Sequence, residues 1–239
     1  MRRLPVPFSE IRLRPDRLQD PLHWRRPRVV FVCNMGDWMH DQVPVDFLLR
    51  MATVIRSRPE HVWLMLTKRV HRLREVVREN RLLDFSDSPN VWIMASVCNQ
   101  EMAGRDVPIL LDTPAARRGL SVEPMLGPVS FRPEWLGQSP WSMTDARLDW
   151  VVCGCESGPG RRPMEALWWD SLREQCATAG VPVYLKQQAG SWSGGDWYPS
   201  CQGLGKVHGF DPTERDMPAD IWAVLGRRGR EAAPADGER

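Results

Sequence analysis

Glu123 and Glu156 each follow a short apolar run directly, in "LSVEP" and "CGCESG", and Lys68 and Lys186 stand the same way in "LTKR" and "YLKQQ". A carboxylate at the end of a buried strand must meet water or a cation, because burying it unpaired is costly. Lys68, Arg69 and Lys186 sit at the ends of other strand-like runs and could be those partners. Acids, bases and amides gathered at one sheet edge can carry catalysis; the bland alternative is a ring of ion pairs that closes the top of a core. Glu123, Glu156, Lys68 and Lys186 are the candidate catalytic group. Further runs end in amides, hydroxyls and another acid: Asn34, Asp37 and His40, then Ser96, Asn99 and Gln100, then Ser121. Asn34, Asp37, Ser96 and Asn99, with Ser157 and Gly158, are the candidate cofactor-binding residues. Taken singly, Asn34 and Asp37 also suit turns and helix caps.

The stretch "ESGPGRRP" adds backbone chemistry. Gly158 and Gly160 permit conformations closed to other residues and let a ligand approach the main chain. Arg161 and Arg162 could meet a phosphate or carboxylate, although the P-loop pattern is absent. Cysteines stand at 33, 98, 153, 155, 176 and 201. None forms a CxxC pair and no His pair has zinc-ligand spacing, so no metal ligands are expected. Cys33, Cys98, Cys153 and Cys155 lie in or at the ends of strand-like runs, where a free thiol serves as a small buried hydrophobe; a disulfide or metal role is the alternative. Trp63 and Trp92 belong to such runs and suit core packing, whereas Trp192 and Trp197 could stack on a base or cover a sheet edge.

These residues need elements to position them. Six runs recur along the chain: 28–37, 61–69, 90–100, 118–128, 148–158 and 181–190. Helical spacing links most of them. Phe47, Leu48, Met51, Val54 and Ile55 share one face after Pro44; Val70, Leu73, Val76 and Val77 share another; residues 164–180 form a third segment that ends at Gly180. The link between the third and fourth runs shows a weaker helical pattern. Apolar strands alternating with helices indicate an α/β fold with a parallel sheet covered on its faces. Polar residues just after each strand favour a partial (β/α) barrel with a mainly parallel sheet of about six strands; a doubly wound open sheet is the alternative. Strands are expected near 29–33, 63–66, 91–96, 119–122, 150–153 and 182–185.

The 239 residues are read as a single domain over 1–225 followed by a disordered tail over 226–239, which is charged and rich in Gly, Pro and Ala. An apolar content of 42% fills a core, yet no run reaches the ~18 apolar residues of a membrane span, so a cytoplasmic protein with no membrane partner is expected. A net charge of +2 sets up no global field that demands nucleic acid.

The segments "FVCNMGDWMHDQVP", "LTKR", "NVWIMASVCNQ", "LSVEPMLGPV", "DWVVCGCESGPGRRPM" and "YLKQQAG", in this order, resemble the three-Cys-motif phage protein family, whose members look like radical-SAM enzymes. The resemblance runs from about Phe8 to Gly190. It implies a partial barrel that would hold S-adenosylmethionine and an iron–sulfur cluster at its strand ends. Members usually begin with about sixty residues carrying three cysteines spaced as cluster ligands. Here Met1 falls almost where the stretch after that segment begins, so an incomplete copy with no iron–sulfur cluster is expected: the chain is truncated, its start is assigned too late, or the cluster-bearing part is a separate polypeptide that could be a partner. Where the family has Gly-Gly-Glu-Ser-Gly, this chain places Cys153 and Cys155 around Gly154, and Cys98 stands where relatives tend to carry an acid. Two further readings stand beside this one: a cluster-free module binding a nucleotide or nucleic acid, and a barrel hydrolase using Glu123 and Glu156.

Overall fold

The computed structural model describes residues 10–139, 145–156, 159–187, 218–221 and 223–224. Strands and helices alternate except between β4 and β5, which among the described residues only a short 3-10 turn (Pro133–Leu136) separates: β1 (Val29–Phe31), α1 (Val45–Arg56), β2 (Val62–Thr67), α2 (Val70–Glu79), β3 (Val91–Val97), α3 (Gln100–Leu111), β4 (Arg117–Val122), β5 (Trp150–Gly154), α4 (Ala166–Ala179) and β6 (Val183–Gln187). Every neighbouring pair is parallel, and the strands lie in chain order from β1 to β6. Parallel neighbours in chain order, joined by crossovers of one hand, place the connections on one face. The sheet curls accordingly into a half-barrel flanked by helices. No described helix is long and apolar enough to cross a membrane.

The two-residue period of each strand sorts its side chains. Trp63 and Met65 of β2, Ile93 and Ala95 of β3, and Val151 and Cys153 of β5 pack with the helices in the main core. The alternate positions Leu64, Trp92, Met94, Trp150 and Val152 form a second core on the inner face. Helix α1 buries Leu48, Met51, Ala52 and Ile55, and α2 buries Val70, Leu73, Val76 and Val77, so each turns one stripe to the sheet. Helix α4 stops at Gly180, whose φ of 66° is the left-handed cap that glycine adopts without strain. Helix α3 forms although Pro108 lies inside it and costs one helical hydrogen bond. Pro108 and the buried Asp106 interrupt the apolar stripe, which explains the weak pattern in the sequence.

At the opposite end of the sheet, the N-terminal segment is tied to the base of β2. Arg58 donates to the carbonyls of Leu22 and Trp24. His61 is buried between Trp24 and Trp63, with ring centroids 5.4 and 5.7 Å away. Neither of its ring nitrogens has a hydrogen-bond partner among the described residues. Burial lowers the pKa of this imidazole; Glu60 and the nearby Pro21 backbone oppose that shift, and Arg58 and Arg28 add to it. The folded pKa lies below the unfolded value of about 6.5, so the unfolded chain takes up the proton first as pH falls. His61 therefore contributes full stability above that value and loses it below. Thermal melts are expected to show the midpoint falling from about pH 7 to pH 5.5, with His61→Phe flattening that interval. An identical slope in the variant would remove His61 as the cause.

Candidate functional site at the rim of the half-barrel

Parallel strands end on one side of a sheet, and here that side carries the polar residues. On the inner face, Ser96 of β3 and Ser121 of β4 are register partners, and both are buried. The layer beneath them is apolar. A side chain at Gly119 would come within 2.8 Å of Met94 Cε, so the glycine lets Met94 lie across the sheet under the two serines. Ser96 Oγ stands 3.5 Å from the carbonyl oxygen of Glu123, the outer limit of a hydrogen bond.

Glu123 continues from β4, its amide donating to the Val97 carbonyl at 3.0 Å. Lys186 of β6 places its Nζ 3.0 Å from Glu123 Oε1 and 3.2 Å from Oε2. The carboxylate side chain is 20% exposed and the lysine 50%, so the pair opens to solvent from the ammonium side. It bridges β4 and β6 across β5, whose inner position there is Gly154. The β5–β6 register shifts between Cys153 and Gly154, an irregularity of the kind that re-aims a neighbouring side chain.

Glu156 is also on an inner position of the rim, beyond the end of β5, but it has a different partner. Arg162 gives it a backbone hydrogen bond of 2.8 Å, an Nε contact of 3.0 Å and a further Nη2 contact. The Arg162 side chain, then its amide, lower the Glu156 pKa to about 2. At neutral pH this carboxylate is a fixed anion, suited to clamping the loop shut rather than to giving up a proton. Gly160, with a φ of 73°, makes the left-handed turn that brings the loop back. Ser157 and Gly158 lie outside the described residues, as do Trp192, Trp197 and the segment 226–239.

Asp37 binds the loop after β1 to the end of β2. Its Oδ1 accepts from Thr67 Oγ1 at 2.7 Å and from the Met39 amide at 2.9 Å. Its Oδ2 accepts from the Lys68 amide at 3.0 Å and from Arg69 Nη1 at 2.9 Å. Asn99 caps α3, its Oδ1 accepting from the Met102 amide at 3.0 Å. Asn34 is exposed in the turn after β1, and Lys68 is exposed on the rim with no side-chain ion pair among the described residues. Of the four candidate catalytic residues, the structure joins Glu123 to Lys186, gives Glu156 to Arg162 and leaves the Lys68 ammonium to solvent.

Cys153 of β5 and Cys155 just past its end face the helices rather than the inner face. Cys153 and Cys155 are buried and pack in the main core with Cys176 of α4. Burial above all, with Glu123 nearby, raises the Cys153 pKa, and burial pushes Cys176 up to about 12. Cys153 and Cys176 therefore stay protonated, and all three thiols serve as packing groups. Among the described residues, no group of three or more His, Cys, Asp or Glu is placed to hold a metal ion.

Residues 3–230 match the model of a family described as a protein of unknown function, DUF5131. The chain belongs to this family. No curated protein and no solved structure matches it. The DUF5131 match takes in the whole half-barrel and reaches past Ile221, whose role sequence reasoning missed. Ile221 is buried in the second core, and Asp220 Oδ2 accepts from Trp92 Nε1 at 3.0 Å. The signal was faint: Pro218 followed by Ile221 and Val224 at helical spacing, after a long stretch rich in Gly and Pro.

Proposed function

We propose that the rim of the half-barrel binds S-adenosylmethionine or a related nucleoside, and that the protein works as a radical-SAM-like member of its family. The observation that carries this reading is the Glu123–Lys186 pair above Ser96 and Ser121. A carboxylate beside a half-exposed ammonium matches, charge for charge, the ammonium and carboxylate of an α-amino acid, the headgroup of that cofactor. Opposite charges held together at the rim offset one another's desolvation, which lets a zwitterion displace water there. Tyr184, two residues before Lys186 on the same face of β6, is partly buried against the second core. In the family that the chain resembles, the cofactor supplies hydrogen-abstracting chemistry. Cys153, Cys155 and Cys176 are buried on the helix side, which speaks against their holding an iron–sulfur cluster at the rim. In this reading a cluster belongs to a separate polypeptide, and the phage or prophage setting follows from the family resemblance.

Calorimetric titration of the purified chain with S-adenosylmethionine tests this. Saturable binding is expected, weakened about tenfold or more by Lys186→Met and by Glu123→Gln, since each variant removes one charge-assisted contact. Absence of binding, or equal affinity in both variants, would overturn the reading. A second reading, nucleic-acid binding, draws on Arg161 and Lys68, both exposed and without ion pairs among the described residues. It requires oligonucleotide affinity that falls steeply with salt and drops in Lys68→Ala and Arg161→Ala.

A further inference from the structure

Three acids at the rim already have a cation each. Glu123 pairs with Lys186, Glu156 with Arg162 and Asp37 with Arg69. Lys68 is the charge left over: it is exposed, and its ammonium has no ion-pair partner among the described residues. Register sets its place. Leu64 and Leu66 face the second core, Thr67 on the opposite face donates to Asp37, and Lys68 takes the next inner position. Thr67 is the register partner of Ala95, so Lys68 comes beside Ser96, and Ser96 is itself the partner of Ser121. We infer that Lys68, Ser96 and Ser121 form an anion subsite on the inner rim that takes the phosphate group of a small phosphate ester.

Both serines are 3% exposed, so their hydroxyls are costly to leave unpaired. Ser121 Oγ has no hydrogen-bond partner among the described residues, and Ser96 Oγ has only its 3.5 Å approach to the Glu123 carbonyl. Two adjacent hydroxyls on one face are thus free to donate to an oxyanion, and the ammonium supplies the opposite charge. Neighbouring strands lie about 4.8 Å apart, so Lys68 and Ser121 flank Ser96 within the span that one tetrahedral anion and a lysine side chain cover. Three donors suit a phosphate monoester, which presents three oxygens and a charge of about −1.5 to −2, better than they suit a carboxylate. Met94, lying across Gly119 beneath the serines, is 2% exposed and closes the floor. The anion therefore stays at the rim, where water reaches its outer oxygens and limits the desolvation cost. Lys186 stands four strands away on β6 and is engaged by Glu123. The subsite does not depend on the headgroup reading, because S-adenosylmethionine carries no phosphate. A chain that binds phosphate but not that cofactor keeps the subsite and loses the other proposal.

Phosphorus NMR of inorganic phosphate in the presence of the full chain tests the subsite. Saturable line broadening is expected, with a dissociation constant near about 1 mM. Lys68→Met is expected to weaken binding about tenfold and Ser121→Ala about threefold, since the first removes a charged contact and the second a neutral hydrogen bond. Arg50→Met removes an exposed cation from α1 and controls for net charge; its affinity is expected to match the parent. Phenyl phosphate is expected to displace inorganic phosphate, and a short single-stranded oligonucleotide without a terminal phosphate is not. Absence of saturable binding overturns the inference, as does unchanged affinity in Lys68→Met or in Ser121→Ala. A larger loss in Lys186→Met than in Lys68→Met moves the anion to the headgroup pair and overturns it too. Displacement by the oligonucleotide makes the occupant a nucleic-acid backbone and overturns the phosphate ester.

Discussion

Trp92→Ala is expected to lower the free energy of unfolding by about 3–5 kcal/mol, the range for deleting a large aromatic from a packed core. Trp92 is 1% exposed and makes three specific contacts. It meets Trp150 edge to face, donates to Asp220 and lies under the Arg117 guanidinium, 5.7 Å from its ring centre. A half-barrel lacks the closed ring of side chains that fills a complete barrel, so its inner face depends on a few large residues to exclude water. Trp92→Phe separates the contributions. It keeps a ring against Trp150 and loses the indole N–H, so about 1–1.5 kcal/mol is expected. Guanidinium unfolding curves measure both. If alanine costs less than about 1 kcal/mol, the inner face is not a core.

The strands were legible because their apolar runs are continuous and end abruptly. The expected span near 91–96 is observed as Val91–Val97, and 150–153 as Trp150–Gly154. From parallel strands it follows that polar residues past their ends share one rim, and Glu123 with Lys186 shows this across an intervening strand. The partner of Glu156 was beyond such reasoning, because it depends on how the loop from Glu156 to Arg162 turns back, which no periodicity encodes. The cysteine question has a simple geometric answer. Cys153 and Cys155 are two apart and share a face, and Glu156 takes the opposite one; the packing of α4 makes the cysteine face the inside of the main core. In the sequence Asp37 and Asn99 are candidate binding residues, and Asp37 singly also suits a turn or cap. The hydrogen bonds of Asn99 are those of a cap, whereas Asp37 does something that neither description covers.

Asp37 fastens one loop to the next strand with both carboxylate oxygens, and Asp37→Ala is expected to cost about 2–4 kcal/mol. The four donors are of three kinds: the Thr67 hydroxyl, the Met39 and Lys68 amides, and the Arg69 guanidinium. The Asp37 side chain is 14% exposed, so water can re-solvate only part of what alanine leaves unpaired. Arg69, one-third exposed, regains water more readily, and its ion pair contributes the smaller share. Asp37→Asn is the sharper variant. Its amide oxygen can still accept from Thr67 and Met39, but its NH2 group then faces two donors, the Lys68 amide and Arg69. Reversing the amide only exchanges the pair that is lost. Asparagine is therefore expected to recover no more than about half of the alanine loss, although it fills the same volume. Chemical denaturation of the two variants beside the parent provides the measurement. Full recovery by asparagine would show that shape, not charge, holds the loop. The consequence reaches the rim, because the Lys68 amide is one of the tethers. With it released, the end of β2 and the start of α2 lose their fixed position, and affinity for a rim-bound ligand should fall in Asp37→Ala even though Asp37 need not touch that ligand.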